Sequence, residues 1–115
     1  MPDTWVIYHN PRCSTSRKTL ELLRDNGIEP RVVEYLKDPP SRAELVRMIA
    51  DAGITVRDAV RKRESLYGEL NLNQADDEEL LDAMIANPIL IERPFVVTTK
   101  GTRLARPVDA VREIL

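Results

Sequence analysis

The stretch Thr4-Trp5-Val6-Ile7-Tyr8-His9-Asn10-Pro11-Arg12-Cys13-Ser14-Thr15-Ser16-Arg17 decides the fold. Thr4–Tyr8 is rich in β-branched and aromatic residues and stops at His9-Asn10-Pro11, which makes it a buried first strand followed by a loop. The hydroxyl run Ser14, Thr15, Ser16 offers N-caps, Leu20 and Leu23 stand at helical spacing, and Asn26-Gly27 closes an amphipathic helix. Arg31–Tyr35 reads as a second strand. One helix between two strands implies a βαβ crossover with the strands parallel. Cys13 then lies at the carboxyl end of the first strand, where open α/β sheets hold their ligands.

Beyond this unit the pattern changes. Three helix starts follow one another: Ser41-x-x-Glu44 with Leu45, Met48, Ile49 and Ala52 on one face and Gly53 as its stop; Thr55-x-x-Asp58, whose short helix carries Arg57, Arg61, Lys62 and Arg63; and Asp76-x-x-Glu79 with Leu80, Leu81, Met84 and Ile85 inward. About residues 38–90 form a helical insertion. Strands return at Phe95–Thr98 and Thr102–Ala105, joined by the hairpin-length connection Thr99-Lys100-Gly101. Pro107 fits the first turn of a last helix that turns Val108, Val111, Ile114 and Leu115 inward. The order βαβ, helices, ββα, without repeats or linkers, predicts a single α/β domain over residues 1–115 with a mixed four-stranded sheet.

At 115 residues, 43% apolar and 31% charged, the chain has the balance of one soluble globular core. Its net charge of -2 gives no global attraction for nucleic acid or anionic lipid, so any anion site must be local. One cysteine excludes an intrachain disulfide, and one cysteine with one histidine cannot make a Cys/His structural zinc site. Met1–Val6 carries no basic region followed by a long apolar run, so no leader is expected, and no apolar run approaches the ~20 residues of a membrane span. A cytoplasmic protein is expected.

Cys13 stands where unpaired backbone N–H groups and the positive end of a helix dipole stabilise a thiolate. Its ordinary pKa is about 8.5, so a drop of about two units makes the thiolate dominant at neutral pH. Its neighbours His9, Asn10, Arg12, Ser14, Thr15, Ser16 and Arg17 are donors from which no apolar core is built. The same helix start binds tetrahedral oxyanions, so Ser14, Thr15 and Ser16 are candidate substrate contacts and nucleophile and substrate site coincide. His9 is a secondary candidate that tunes the thiolate or shares its proton. Arg61, Arg93 and Arg106 stand out by context, the last two directly before prolines. Pro94 ahead of a buried strand has a backbone reason, and a cis bond there would face Cys13 across the sheet end.

Three stretches together, Tyr8 to Arg17, Ile91-Glu92-Arg93-Pro94-Phe95-Val96-Val97 and Gly101-Thr102-Arg103-Leu104-Ala105-Arg106-Pro107, resemble the ArsC family nearly end to end, in order and spacing. The resemblance implies a thioredoxin-like fold and a cytoplasmic arsenate reductase without bound cofactor, with glutathione as co-substrate and glutaredoxin as electron donor. It implies Cys13 as nucleophile, His9 as the residue assisting its ionisation, and Arg61, Arg93 and Arg106 as oxyanion-binding arginines. The chain departs from the longer, well-studied members in ending with the last helix and in carrying Arg12 and Ser14 beside the nucleophile. The expected partners are arsenate or a similar oxyanion, glutathione and glutaredoxin, with no nucleic acid, membrane or metal, and the expected state is a monomer.

The cysteine count constrains the mechanism independently. Reduction of As(V) to As(III) takes two electrons, and one thiol cannot finish on an internal disulfide, so an external thiol must complete the cycle. Ser16 occupies the position of the resolving cysteine in a Cys-x-x-Cys protein. That also argues against a Spx-like adaptor of RNA polymerase, which commonly shows Cys-x-x-Cys here. A glutathione-dependent thiol oxidoreductase with another substrate remains as the alternative.

Overall fold

The computed structural model describes residues 4–115, so the start of the Met1–Val6 stretch lies outside the described residues. The chain divides into two compact units, one taking residues up to Asp38 and again Arg93–Leu115, the other Pro39–Glu92.

The first unit is built on a four-stranded sheet. Its strands are β1 (Trp5–His9), β2 (Arg31–Glu34), β3 (Phe95–Thr98) and β4 (Gly101–Leu104), in the order β2-β1-β3-β4. The crossover through α1 (Ser14–Asp25) leaves β1 and β2 parallel, while β3 pairs antiparallel with both β1 and β4. The mixed sheet is the expected one. Ile7 faces Val96 in the β1–β3 register, and both are fully buried with Trp5, Leu23, Val111 and Ile114 in one cluster. Burying each such aliphatic side chain is worth roughly 1.5–3 kcal/mol. Thr19 and Ser16 join Leu23 on the buried face of α1, whereas Leu20 is only half-buried.

Three local expectations are corrected. The first strand runs one residue further, to His9, which completes the alternation Trp5, Ile7, His9 of buried positions. The N-cap of α1 is Cys13 itself, with no side-chain capping bond, because the hydroxyls of Ser14–Ser16 are already inside the first turn. The last helix is a 3-10 segment, Val108–Ile114, with Pro107 immediately before it; a period of three residues stacks Val108, Val111 and Ile114 on one face and buries the last two.

The second unit is helical: α2 (Arg42–Asp51), α3 (Val56–Ala59), α4 (Ser65–Glu69), α5 (Asp77–Ala86) and two 3-10 turns, Leu72–Gln74 and Pro88–Leu90. All three predicted capping boxes are present, with the side chains of Ser41, Thr55 and Asp76 each accepting from the backbone N–H of the third helix residue and their own backbone N–H donating back to that residue's carboxylate. Leu45, Met48 and Ile49 of α2 and Leu80, Leu81 and Met84 of α5 are buried, and α5 packs against α2 and α3. Helix α3 is shorter than expected, so Arg61, Lys62 and Arg63 lie beyond it. Instead Val60 bridges Ile91, with Arg61 N–H donating to Leu90 O at 2.6 Å and Glu92 N–H to Ala59 O at 2.7 Å. Among the described residues no helix is long and apolar enough to cross a membrane.

Candidate active site

The loop between β1 and α1 is pinned from within. Asn10 is buried, and its Oδ1 accepts the Arg12 N–H at 3.0 Å while its carbonyl accepts the Cys13 N–H at 3.0 Å. This is a turn closed by an Asn side chain, for which Asn followed by proline is a sequence signal. Arg17 adds a bond from Nη1 to Pro11 O at 2.9 Å. The loop therefore presents Cys13 at the open end of α1 in extended conformation, partly exposed.

Burial pushes the Cys13 thiol up, but the donors around it outweigh that cost. The Ser16 N–H, the Arg93 guanidinium by hydrogen bond and charge, and the Thr15 N–H together hold its pKa below the ordinary value. Thr15 and Ser16 thus act through main-chain N–H groups. The Ser16 hydroxyl is fully buried: it accepts the Asn10 N–H at 3.0 Å and lies 2.6 Å from His9 Nδ1. Ser14 is exposed at the start of the helix.

His9 is itself buried, and desolvation lowers its pKa; Glu34 opposes this, and Arg24 and Arg17 reinforce it. His9 is accordingly neutral at pH 7. Ser16 Oγ thus bonds both the Asn10 N–H and His9 Nδ1, with the imidazole tautomer setting the direction of the second bond. The link from His9 to the nucleophile runs through Ser16.

Arg93 and Arg106 occupy one corner of the same unit. The Arg93–Pro94 bond is cis, as expected, and so is Arg106–Pro107. Arg93 is only 6% exposed, and its guanidinium favours the Cys13 thiolate. Arg106 donates from Nη1 to the Arg93 carbonyl at 3.1 Å, and Ala105 N–H donates to Pro94 O at 2.9 Å. Arg61 belongs to the helical unit, where Nε meets Glu64 at 3.1 Å and Nη1 meets Glu92 at 3.3 Å. No group of three His, Cys, Asp or Glu side chains that could hold a metal occurs among the described residues. The chemistry on offer is a thiolate nucleophile with main-chain N–H donors and a guanidinium around it, an arrangement suited to attack on a bound oxyanion.

Comparison with known proteins bears on this geometry. Residues 8–114 match the model of the ArsC family. An arsenate reductase of Rhizobium meliloti strain 1021 is 60% identical over 114 residues, covering 97% of this chain and 81% of that protein. An arsenate reductase of Escherichia coli K12 is 54% identical over 112 residues, covering 96% of this chain and 79% of the other. The solved structure of an arsenate reductase from Vibrio cholerae superposes with a TM-score of 0.94 at 47% identity, covering all of both chains.

Proposed function

The chain belongs to the ArsC family, and on that premise we propose that it reduces arsenate to arsenite with Cys13 as nucleophile and glutathione with glutaredoxin as the electron source. The observation that carries this reading is the Cys13 thiol, drawn below its ordinary pKa against its own burial by the Ser16 and Thr15 N–H groups and by Arg93. A thiolate is the species that attacks arsenic.

The thiolate forms an S–As bond as one arsenate oxygen leaves as water, and the developing charge is met by main-chain N–H groups and guanidinium donors. Arg93 is the first of these donors, with Arg106 behind it and Arg61 as a third oxyanion-binding arginine. His9, neutral and bonded to Ser16, steadies the helix turn whose N–H groups face the sulfur. Across the full cycle, dihydrogen arsenate and two thiols give dihydrogen arsenite, a disulfide and water. An S–S bond forms as an S–As bond breaks, and its electron pair stays on arsenic. Cys13 is the single cysteine of the chain, so the remaining sulfur comes from glutathione and glutaredoxin. The reading places a monomer in the cytoplasm, where those thiols are kept reduced.

A coupled assay tests it: NADPH oxidation with glutathione, glutathione reductase and glutaredoxin, comparing arsenate with a glutathionylated peptide. Arsenate-dependent turnover that disappears in Cys13→Ser is the expected result. Turnover with the peptide alone assigns the chain to thiol exchange instead.

A further inference from the structure

On the β2 side of the Cys13 loop, at the carboxyl ends of the parallel strands β1 and β2, the first unit holds a groove of about 470 Å³ whose lining includes His9, Asn10, Arg12, Glu34, Leu36 and Lys37. The size lies in the range of small-ligand sites. Its floor is part of the nucleophile's own turn, because Asn10 O accepts the Cys13 N–H and Arg12 is the residue before Cys13.

We propose that this groove seats glutathione, with Arg12 and Lys37 taking its two carboxylates, Glu34 its ammonium, and Leu36 its methylene stem. The assignment rests on reading the chain as a thiol-dependent reductase and goes on to say where the thiol binds.

Charge carries the choice of occupant. The rim carries two cations and one carboxylate, and glutathione carries two carboxylates and one ammonium, so each charge on the ligand has an opposite charge on the protein. Neutral His9 in the wall adds no further charge. Lys37 and Glu34 meet at 3.8 Å with 80% and 44% of their side chains exposed, a pair held weakly enough to open for a ligand. Leu36 is 41% exposed and offers apolar surface to a ligand. The thiol sits on the middle residue of glutathione, between the two carboxylates assigned to Arg12 and Lys37, and Arg12 directly precedes Cys13 in the loop.

The test uses S-methylglutathione, which cannot react, titrated into the full-length Cys13→Ser chain while backbone amide shifts are followed. Shifts concentrated at Asn10, Arg12 and Glu34–Lys37 are expected. Affinity should fall about three- to tenfold in either Arg12→Glu or Lys37→Glu and further in the double variant, with the amide spectrum showing that each is folded. The diethyl ester of S-methylglutathione, which needs no change in the protein, should bind more weakly to the Cys13→Ser chain and lose its sensitivity to the charge reversals. Shifts centred elsewhere, or affinities unchanged by both reversal and esterification, overturn the proposal. Arsenate turnover of the unmodified chain is measured separately with dithiothreitol, a neutral thiol. Turnover there with no ligand in the groove removes the glutathione site and leaves the reductase reading standing; binding in the groove without arsenate turnover does the reverse.

Discussion

Ser16 lies between His9 and Cys13: its hydroxyl is 2.6 Å from His9 Nδ1 inside the fold, while its main-chain N–H favours the Cys13 thiolate outside. A histidine on the last residue of β1 and a cysteine at the N-cap of α1 are thereby joined through one residue of the helix's first turn. Breaking that link, or removing the arginines around it, has measurable effects on stability and on the thiol.

Ser16→Ala removes the bond to His9 Nδ1 and the acceptor for Asn10 N–H, both in a buried setting. Leaving buried polar groups unpaired costs about 1–3 kcal/mol of stability. The main-chain N–H at position 16 survives the substitution, so the Cys13 pKa should rise less than in Arg93→Gln, where a donor to sulfur is itself removed. Urea unfolding gives the first quantity and iodoacetamide alkylation against pH the second. A Ser16→Ala chain as stable as the parent would mean that the buried pair contributes nothing.

The alkylation profile of the unaltered chain carries its own prediction. With the Ser16 and Thr15 N–H groups and the Arg93 guanidinium all favouring the thiolate, the inflection should lie below the value of about 8.5 for a free thiol. Replacing Arg93 by Gln keeps hydrogen-bonding capacity but removes the charge, and the inflection should move up. An unaltered chain titrating at the free-thiol value would leave Cys13 without activation.

Stability should rise with pH in two windows. The folded chain holds His9 below the ordinary imidazole value of about 6.5, mainly through burial, so between the two values the unfolded state binds more protons. The His9 contribution is full above about pH 6.5 and is lost as pH falls through the folded value. Cys13 is shifted in the same direction, so its contribution is present above about pH 8.5 and is lost as pH falls through its folded value. His9→Gln should flatten the acid window and Cys13→Ser the alkaline one in urea unfolding measured from acid to alkaline pH. An acid slope untouched by His9→Gln would assign that slope to carboxylates elsewhere.

Periodicity and capping chemistry made much of this legible in the sequence. Ser41, Thr55 and Asp76 each announced a helix start through the residue three places on, and each capping box is present. The βαβ unit was readable because Trp5, Ile7 and Leu23 are locally patterned. Burial of His9 was also within reach, since it continues the two-residue alternation of Trp5 and Ile7, but a polar residue before Asn10-Pro11 reads as loop. Helix α4 left a weak signal, being five residues long with Gly68 inside it and no buried side chain. The carboxylates on Arg61 were harder still. Glu92 lies 31 positions away and meets Arg61 only because the Val60–Ile91 bridge aligns the two segments, a relation no local pattern records.

That pairing bears on how the oxyanion is held. If Arg61, Arg93 and Arg106 all contact it, replacing any one by Ala in the Cys13→Ser background should weaken arsenate binding by about 1.5–3 kcal/mol, the worth of a charge-assisted bond. Arg93→Ala should lie at the upper end, because its guanidinium is already desolvated at the sulfur. Arg61 differs from the other two. Its guanidinium is held between Glu64 and Glu92, all three side chains largely buried, so Arg61→Ala also leaves two carboxylates facing each other and should destabilise the helical unit whatever its effect on the anion. Glu64→Gln separates the two effects. It removes one competing negative charge and leaves Arg61 in place, so arsenate affinity should increase if Arg61 is an oxyanion ligand. Calorimetric titration of arsenate into the four variants, with urea unfolding of each, makes the measurement. Equal affinity in Arg61→Ala, Glu64→Gln and the parent, together with a stability loss in Arg61→Ala, would restrict Arg61 to holding the Val60–Ile91 bridge and leave Arg93 and Arg106 as the arginines of the site.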